Sequence, residues 1–446
     1  MSTSSRLALV LGILMCAGLS TGSLVAQQQA APSNTLSADI DRLIADAQPQ
    51  LLEWRRHLHE HPELSNREVE TAKYIADRLR SFGLEPQTGM ARNGVVALLK
   101  GGLPGPVVAL RADMDGLPVR EETDVPFASK ATGEYEGNAV GVMHACGHDT
   151  HVAMLLTAAK VLTQVKDRIP GSIKFIFQPA EEGAPAGEQP AGAQAMVTEG
   201  VMLNPKVDAV FGLHVFSNIE TGHLTYRSGP FMAASDQFEI IVKGRQTHGA
   251  TPWRGIDPIV VASQIVMGLQ TVVSRGVDIT KLPAIVTVGQ FHAGVRNNII
   301  PDSARLVGTI RTFDDGMQAE IHKKVTQIAQ GIANASGTTA EVVINKGYPV
   351  TSNDPALTAR MLPTLERVAP GAVKESDLIT GAEDFTYFQR QAPGVFVFLG
   401  ITPAAQVGKA PQNHSPLFVV DEKALPTGVR ALAHLAVDYL RLTPGR

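Results

Sequence analysis

Apolar residues recur every three or four positions from Ile40 to Leu58, through Leu43, Ile44, Ala47, Leu51 and Leu52, so the spacing predicts an amphipathic helix opening at Ser37. Pro49 predicts a kink within it. Ser65 and Glu68 read as a capping box before a second helix, with Val69, Ala72, Ala76 and Leu79 on one face and Gly83 at its end. The period then changes. Continuous apolar runs at 94–99, 107–111, 172–177 and 207–213, bounded by turn residues, predict buried strands. A helical pattern from Val152 to about Val165 lies between the second and third of these runs. From about 229 to about 346 the order becomes strand (237–242), helix (257–274), strand (284–292), strand (304–312), helix (316–335) and strand (338–344). That is the order of a split βαβ, ferredoxin-like unit. The α/β pattern resumes with a strand at 394–400 and a last helix from about 421 to 441. No internal repeat interrupts this order.

The predicted fold class is therefore α/β, with a small unit inserted into a larger one. At 446 residues the chain exceeds one ordinary core. The expected division is 37–228 and 347–446 for the two parts of the larger domain and 229–346 for the insert. The N-terminus has another character. Arg6 precedes an apolar run from Leu7 to Leu19, and small or polar residues follow to Ala26, so 1–26 reads as a cleaved secretory signal and 27–36 as a Gln/Ala/Pro/Ser linker. The expected location is periplasmic or secreted. No later stretch reads as a membrane span, and the net charge of −4 gives no nucleic-acid footprint.

Cysteine usage changes the picture next. Cleavage of the signal removes Cys16 and leaves Cys146 alone, so no intrachain disulfide is possible. A single thiol in an exported protein needs a reason. It sits in His144-Ala145-Cys146-Gly147-His148-Asp149-Thr150-His151, directly before a helical pattern, where imidazole and thiolate are the donors that zinc-like ions take. The run 107–111 leads into Asp113 and Asp115, the run 172–177 into Glu181 and Glu182, and the run 207–213 into His214. Groups delivered past the carboxyl ends of buried strands stand where open α/β sheets build their sites. His57, His59 and His61 alternate by two, which scatters them round a helix, so they read as solvated surface.

Cys146, His148, Glu182, His214 and the isolated His414 are more donors than one tetrahedral ion needs. Two ions sharing a bridging group would use them, although a single-ion site stays open on this argument alone. Glu181, next to a ligand carboxylate, is placed to take a proton from water and return it to a leaving amine. The implied reaction is hydrolysis of an amide or ester.

The motifs RRHLHEHPEL, RADMDGLPV, HACGHDTH, FQPAEEG, GLHV, NNIIPD, TGAEDF and NHSP, in this order from about Leu51 to the C-terminus, resemble the aminoacylase/carboxypeptidase family of dimetal amidohydrolases. The nearest branch holds hippurate hydrolases, bacterial N-acyl-amino-acid deacylases and plant auxin–amino acid conjugate hydrolases. The resemblance implies a metallopeptidase-like domain with a central mixed sheet flanked by helices, and a lid and dimerisation role for the insert. It implies that Cys146 bridges two divalent ions, which His148, Glu182, His214 and His414 complete. It makes Glu181 the general base and Asp115 the carboxylate that orients a ligand. Asp113 stands where other branches carry a histidine and is not read as a ligand. His248, Asn298, Arg311 and Gly381 fall on substrate-facing motifs, with His248 reaching the active site of the other subunit of a homodimer. The resemblance implies N-acyl amino acids as substrates; zinc, manganese, cobalt and nickel all suit the donor set. Two features depart from the branch: the loop 184–192 is longer, and the insert reads RQTHGATPW around His248. Two other readings compete, a metallo-aminopeptidase or dipeptidase and a periplasmic metal- or solute-binding protein. Glu181 discriminates against the last, because a binding protein has no use for a base beside its ligand carboxylate.

Overall fold

The structure, a computed structural model, describes residues 32–443, so the signal read over 1–26 lies outside the described residues. The first helix, α1 (Pro32–Glu60), begins inside the stretch read as linker. Leu36 is already buried in the core, which gives this end of the chain a packing reason to be helical. α2 (Val69–Ser81) follows. The chain then lays down β1 (Gln87–Met90), β2 (Gly94–Lys100) and β3 (Leu103–Asp113), then α3 (His148–Gln164), and then β4 (Pro170–Gln178), β5 (Ala209–Glu220) and β6 (Leu224–Tyr226). The inserted unit runs β7 (Ala234–Lys243), α4 (Pro258–Gly276), β8 (Ala284–Ala293), β9 (Ser303–Thr312), α5 (Asp315–Ala335) and β10 (Ala340–Lys346). The chain closes with α6 (Pro355–Val368), β11 (Val373–Glu375), β12 (Gly394–Thr402) and α7 (Leu425–Leu442). Three short two-stranded ribbons lie outside the two larger sheets.

The larger sheet has the order β1-β2-β4-β3-β5-β12-β6-β11. It is mixed: β4, β3, β5 and β12 run parallel, while β2 joins β4 antiparallel and β6 joins β12 antiparallel. Both faces are covered, which is why its strands read as unbroken apolar runs. Leu110, Phe175, Phe211 and Val397 pack under α1, α3 and α7, while Ile176, Val210, Phe396 and Phe398 face the opposite cluster around Phe231 and Phe385. Two adjoining residues of one strand thus serve two cores, as the twofold alternation of a strand requires.

The inserted unit has its own sheet, β8-β9-β7-β10, all antiparallel. Its helices start where side chains satisfy free backbone N–H groups: Asp257 accepts from Ile259 N ahead of Pro258, and Asp314 accepts from Met317 N. α4 is long and apolar enough, by length and composition, to cross a membrane. In the fold Val261, Ala262, Ile265, Leu269 and Val272 pack it onto the insert's core.

Two local expectations are corrected. Ser65 and Glu68 do not form a capping box. The Glu63 carboxylate instead accepts from the Glu70 and Thr71 N–H groups at the start of α2, at 3.2 and 2.8 Å. His59 is not on the surface: it is 2% exposed, with Nδ1 2.9 Å from Asp149 and Nε2 3.1 Å from Glu121. The last turn of α1 meets α3 and the loop carrying Glu121 on one side, so Arg55 and His59 are buried there, while Arg56, His57, Glu60 and His61 face outward.

Candidate active site

The carboxyl ends of the parallel strands meet the amino end of α3. Gly147, the residue before α3, has φ +92°, and a Cβ there would stand 2.4 Å from the Val215 side chain. Only glycine fits this turn, which lets Cys146 and His148 converge from either side of it. His214 does not follow its strand, as expected, but lies within it. β5 continues to Glu220 because β12 pairs with it far beyond the end of β3.

All five expected ligand positions come together. The Cys146 Sγ lies 3.3 Å from His214 Nε2 and 3.2 Å from His414 Nε2. His414 Nε2 lies 3.1 Å from Glu182 Oε1. The donor atoms of Cys146, Glu182 and His414 lie within 4.8 Å of one another, as do those of His148, Glu181 and Glu182. His214 donates its Nδ1–H to the Val215 carbonyl at 2.7 Å, which leaves Nε2 free toward Cys146. His148 Nδ1 is 3.0 Å from Asp115 Oδ1, and its Nε2 is buried with no partner. A buried imidazole nitrogen 3.9 Å from the Glu181 and Glu182 carboxylates, its other nitrogen fixed by an aspartate, is the arrangement that metal-ligating histidines adopt. His151 is different. Its Nδ1 meets Asp113 at 2.5 Å and its Nε2 accepts from Val215 N at 2.9 Å, so both nitrogens are spent on structure.

The electrostatics also favour a cation. Burial would lower the His148 imidazole, but Asp113 and then Asp115 overcome it and lift it to about 10. Burial, then Glu182 and Glu181, push the Cys146 thiol well above its ordinary range. Burial, then Glu383 and Glu182, do the same to Glu181. The field that holds protons on these groups is the field that holds divalent ions when the thiol and imidazoles are deprotonated.

Glu383 and Asp384, quoted in a motif but given no role by the sequence reading, prove central. The fully buried Arg111 reaches Asp113 at 2.7 Å, Glu383 at 2.9 Å and Asp384 at 3.0 Å, while its Nε donates to Gln178 at 2.7 Å. Asp384 also accepts from Gln178 Nε2 and Ala193 N. One guanidinium thus joins Asp113, two residues away on the same strand, to Glu383 and Asp384 from a distant part of the chain. Arg111→Met should leave them facing one another without a counter-charge and lower stability by about 3–5 kcal/mol. Urea unfolding followed by circular dichroism measures this, and an unchanged midpoint would refute the load placed on Arg111. Ser65 and Glu68, misread as a cap, also belong here. Ser65 Oγ donates to Asp115 at 2.7 Å, and Glu68, lifted to about 7 by burial and then by Asp115, accepts from Ala180 N at 2.8 Å.

A cavity of about 420 Å³ opens onto these groups. Arg311 and Gly381 line it with Cys146, Glu181, Glu182 and His414; Phe216, Met232 and Ile379 supply an apolar wall. His248 and Asn298 do not line it. His248 lies in a ribbon of Thr247–His248 against Ile299–Ile300 in the insert, with Asn298 just before it, and the exposed His248 accepts from Ala250 N at 3.0 Å.

Residues 109–438 match Peptidase family M20/M25/M40. Thermostable carboxypeptidase 1 of Saccharolobus solfataricus is 41% identical over 398 residues, spanning 89% of this chain and 97% of that protein. An N-acyl-L-amino acid amidohydrolase of Geobacillus stearothermophilus is 43% identical over 317 residues, 71% of this chain and 81% of its own. A Bacillus subtilis crystal structure described as a dinuclear metal-binding peptidase superposes with a TM-score of 0.74 at 35% identity, covering 89% of this chain and 99% of that one.

Proposed function

The chain belongs to peptidase family M20/M25/M40, and on that footing we propose that it hydrolyses the amide bond of N-acyl amino acids with Glu181 as general base. The observation that carries this reading is the presence of Glu181 in the ligand cavity as a carboxylate beyond the five expected ligands. Cys146, His148, Glu182, His214 and His414 would hold two divalent ions, which supply Lewis-acid polarisation of the scissile carbonyl and acidify water. Glu181 takes the proton from the attacking water and delivers it to the departing nitrogen. Asp115 fixes the tautomer of His148 through Nδ1, so that Nε2 presents a lone pair. Arg311 meets the substrate carboxylate, and the wall of Phe216, Met232 and Ile379 takes an apolar group.

The test is a panel of N-acetyl, N-benzoyl and longer N-acyl amino acids beside free dipeptides, with and without a chelator. Hydrolysis of acyl amino acids, lost on chelation and restored by zinc, manganese, cobalt or nickel, is the expected result. Faster turnover of peptides with a free amine would favour an aminopeptidase or dipeptidase, and no turnover of either class would favour a binding protein.

The insert is proposed as a lid and as the surface of a homodimer. β8 is an edge strand, and α4 exposes Val260 and Met267, 54% and 70% accessible. In a dimer His248 and Asn298 would be offered to the partner's cavity, where an imidazole donor stabilises the oxyanion. His248→Ala should then lower kcat roughly 10²–10³-fold with ion content intact. Subunits carrying His248→Ala, dissociated and reassociated with Glu181→Gln subunits, should recover activity, because one site of each mixed dimer is whole. Mixed dimers without activity would reject the cross-subunit role. We also propose export, with removal of 1–26. The mass of the mature protein from a periplasmic fraction tests it, and an intact Met1 there would exclude cleavage.

A further inference from the structure

Residues 180, 181 and 182 are each held from a different element. Ala180 N donates to Glu68 Oε1 at 2.8 Å, Glu182 N donates to Asp115 Oδ2 at 3.1 Å, and the Glu181 carbonyl accepts from Tyr348 Oη at 2.6 Å. The turn is strained at Ala180, a non-glycine residue with φ +50°, and Gly183 follows it at φ +96°. It keeps its shape because these bonds hold it, and the Tyr348 bond is the one of the three that comes from outside the first part of the main domain.

Tyr348 stands just past β10, where the chain returns from the insert. Its carbonyl accepts from Ser235 N at 2.9 Å, and Ser235 pairs with Arg311 across β7 and β9. Gly347 N donates to Asp236 at 3.2 Å, and Asp236 is gripped by Gln318 at 2.9 Å and His322 at 2.7 Å from α5. A Cβ on Gly347 would stand 2.1 Å from the Ser235 carbonyl, so the outgoing and returning segments are pressed together. Tyr348 is therefore fixed to the insert while its hydroxyl grips the turn that carries Glu181. Burial and then Asp384 hold the phenol above its ordinary range, so it remains a donor.

We infer that Tyr348 is a positioning residue that ties the insert, and with it Arg311, to the Glu181 turn, so that the substrate carboxylate and the base share one frame. The inference rests on the reading of Glu181 as base. Tyr348→Phe keeps the ring and removes the donor. It should lower kcat roughly tenfold, as a misplaced reacting group does, with ion content and KM nearly unchanged. The effect should depend on Arg311: in a cycle with Arg311→Met, the tyrosine change should cost little once the arginine is gone. Replacement of Tyr348 by p-aminophenylalanine, which retains a donor at the ring tip, should restore most of the rate. Additive effects in the cycle, a wild-type kcat in Tyr348→Phe, or no rescue by the amino variant would overturn the inference. Glu181→Gln in the same assay separates the two ideas. A wild-type rate there defeats the base reading, whereas an inactive Glu181→Gln beside a fully active Tyr348→Phe defeats only the tether.

Discussion

Glu181→Gln enzyme is expected to retain its metal and to lose about 10²–10⁴ in kcat, the share that a positioned general base supplies. The amide is nearly isosteric with the carboxylate, and the turn around it is held through backbone groups and neighbouring side chains. What changes is proton chemistry. Glu181 is 6% exposed, and burial together with Glu383, Glu182 and Asp384 raises its proton affinity, which two bound cations would offset to leave the carboxylate that accepts the proton. Gln cannot accept the proton. Glu182→Gln separates the roles, because Glu182 stands with Cys146 and His414, and its loss should remove metal as well as activity. Elemental analysis and steady-state kinetics on both variants measure the contrast. Normal turnover in Glu181→Gln would transfer the base role elsewhere, with Glu383 the next carboxylate along the same cavity.

Much of this site was legible because the sequence exposes its logic. Buried parallel strands announce themselves as unbroken apolar runs, and the polar residue that follows each run is where a sheet presents chemistry. Asp113, Asp115, Glu181 and Glu182 were found in that way. His214 was found for a partly wrong reason, since its strand continues to Glu220 through a pairing with β12, where Phe398 stands opposite His214, that no local pattern reveals. Ser65 and Glu68 show the limit of local motifs. Their spacing satisfies a capping box, yet Glu63 caps α2, and both residues turn toward Asp115 and the Glu181 turn. His59 was misjudged because helical spacing says which residues share a face, not how many faces are buried. Glu383 and Asp384 had a readable signal, two adjacent acids after Gly381-Ala382. Their meaning required Arg111, 272 residues away, to be placed between them.

Cys146→Ala is expected to lose metal and to reduce hydrolysis to background, a larger effect than that of any other substitution considered. The thiol stands between two imidazole nitrogens, 3.3 Å from that of His214 and 3.2 Å from that of His414, and its donor atom groups with those of Glu182 and His414. A sulfur that meets His214 of β5 and groups with Glu182 and His414 from the loops after β4 and β12 is placed to contact more than one ion, so its removal weakens the whole set. Burial and the surrounding carboxylates push the thiol well above its ordinary range, and a thiolate is stable there only against a cation. Loss of a partner behind a ligand already costs about 10–100-fold in metal affinity, and loss of a shared ligand should cost more. Cys146→Asp offers the control, because a carboxylate has two oxygens and should recover part of the ion content that alanine forfeits. Both variants should keep their fold, since α3 retains Gly147 and its buried face. Inductively coupled plasma analysis of dialysed protein, paired with an N-acyl amino acid assay, gives the measurement. Full occupancy and normal turnover in Cys146→Ala would show that the thiol holds no ion.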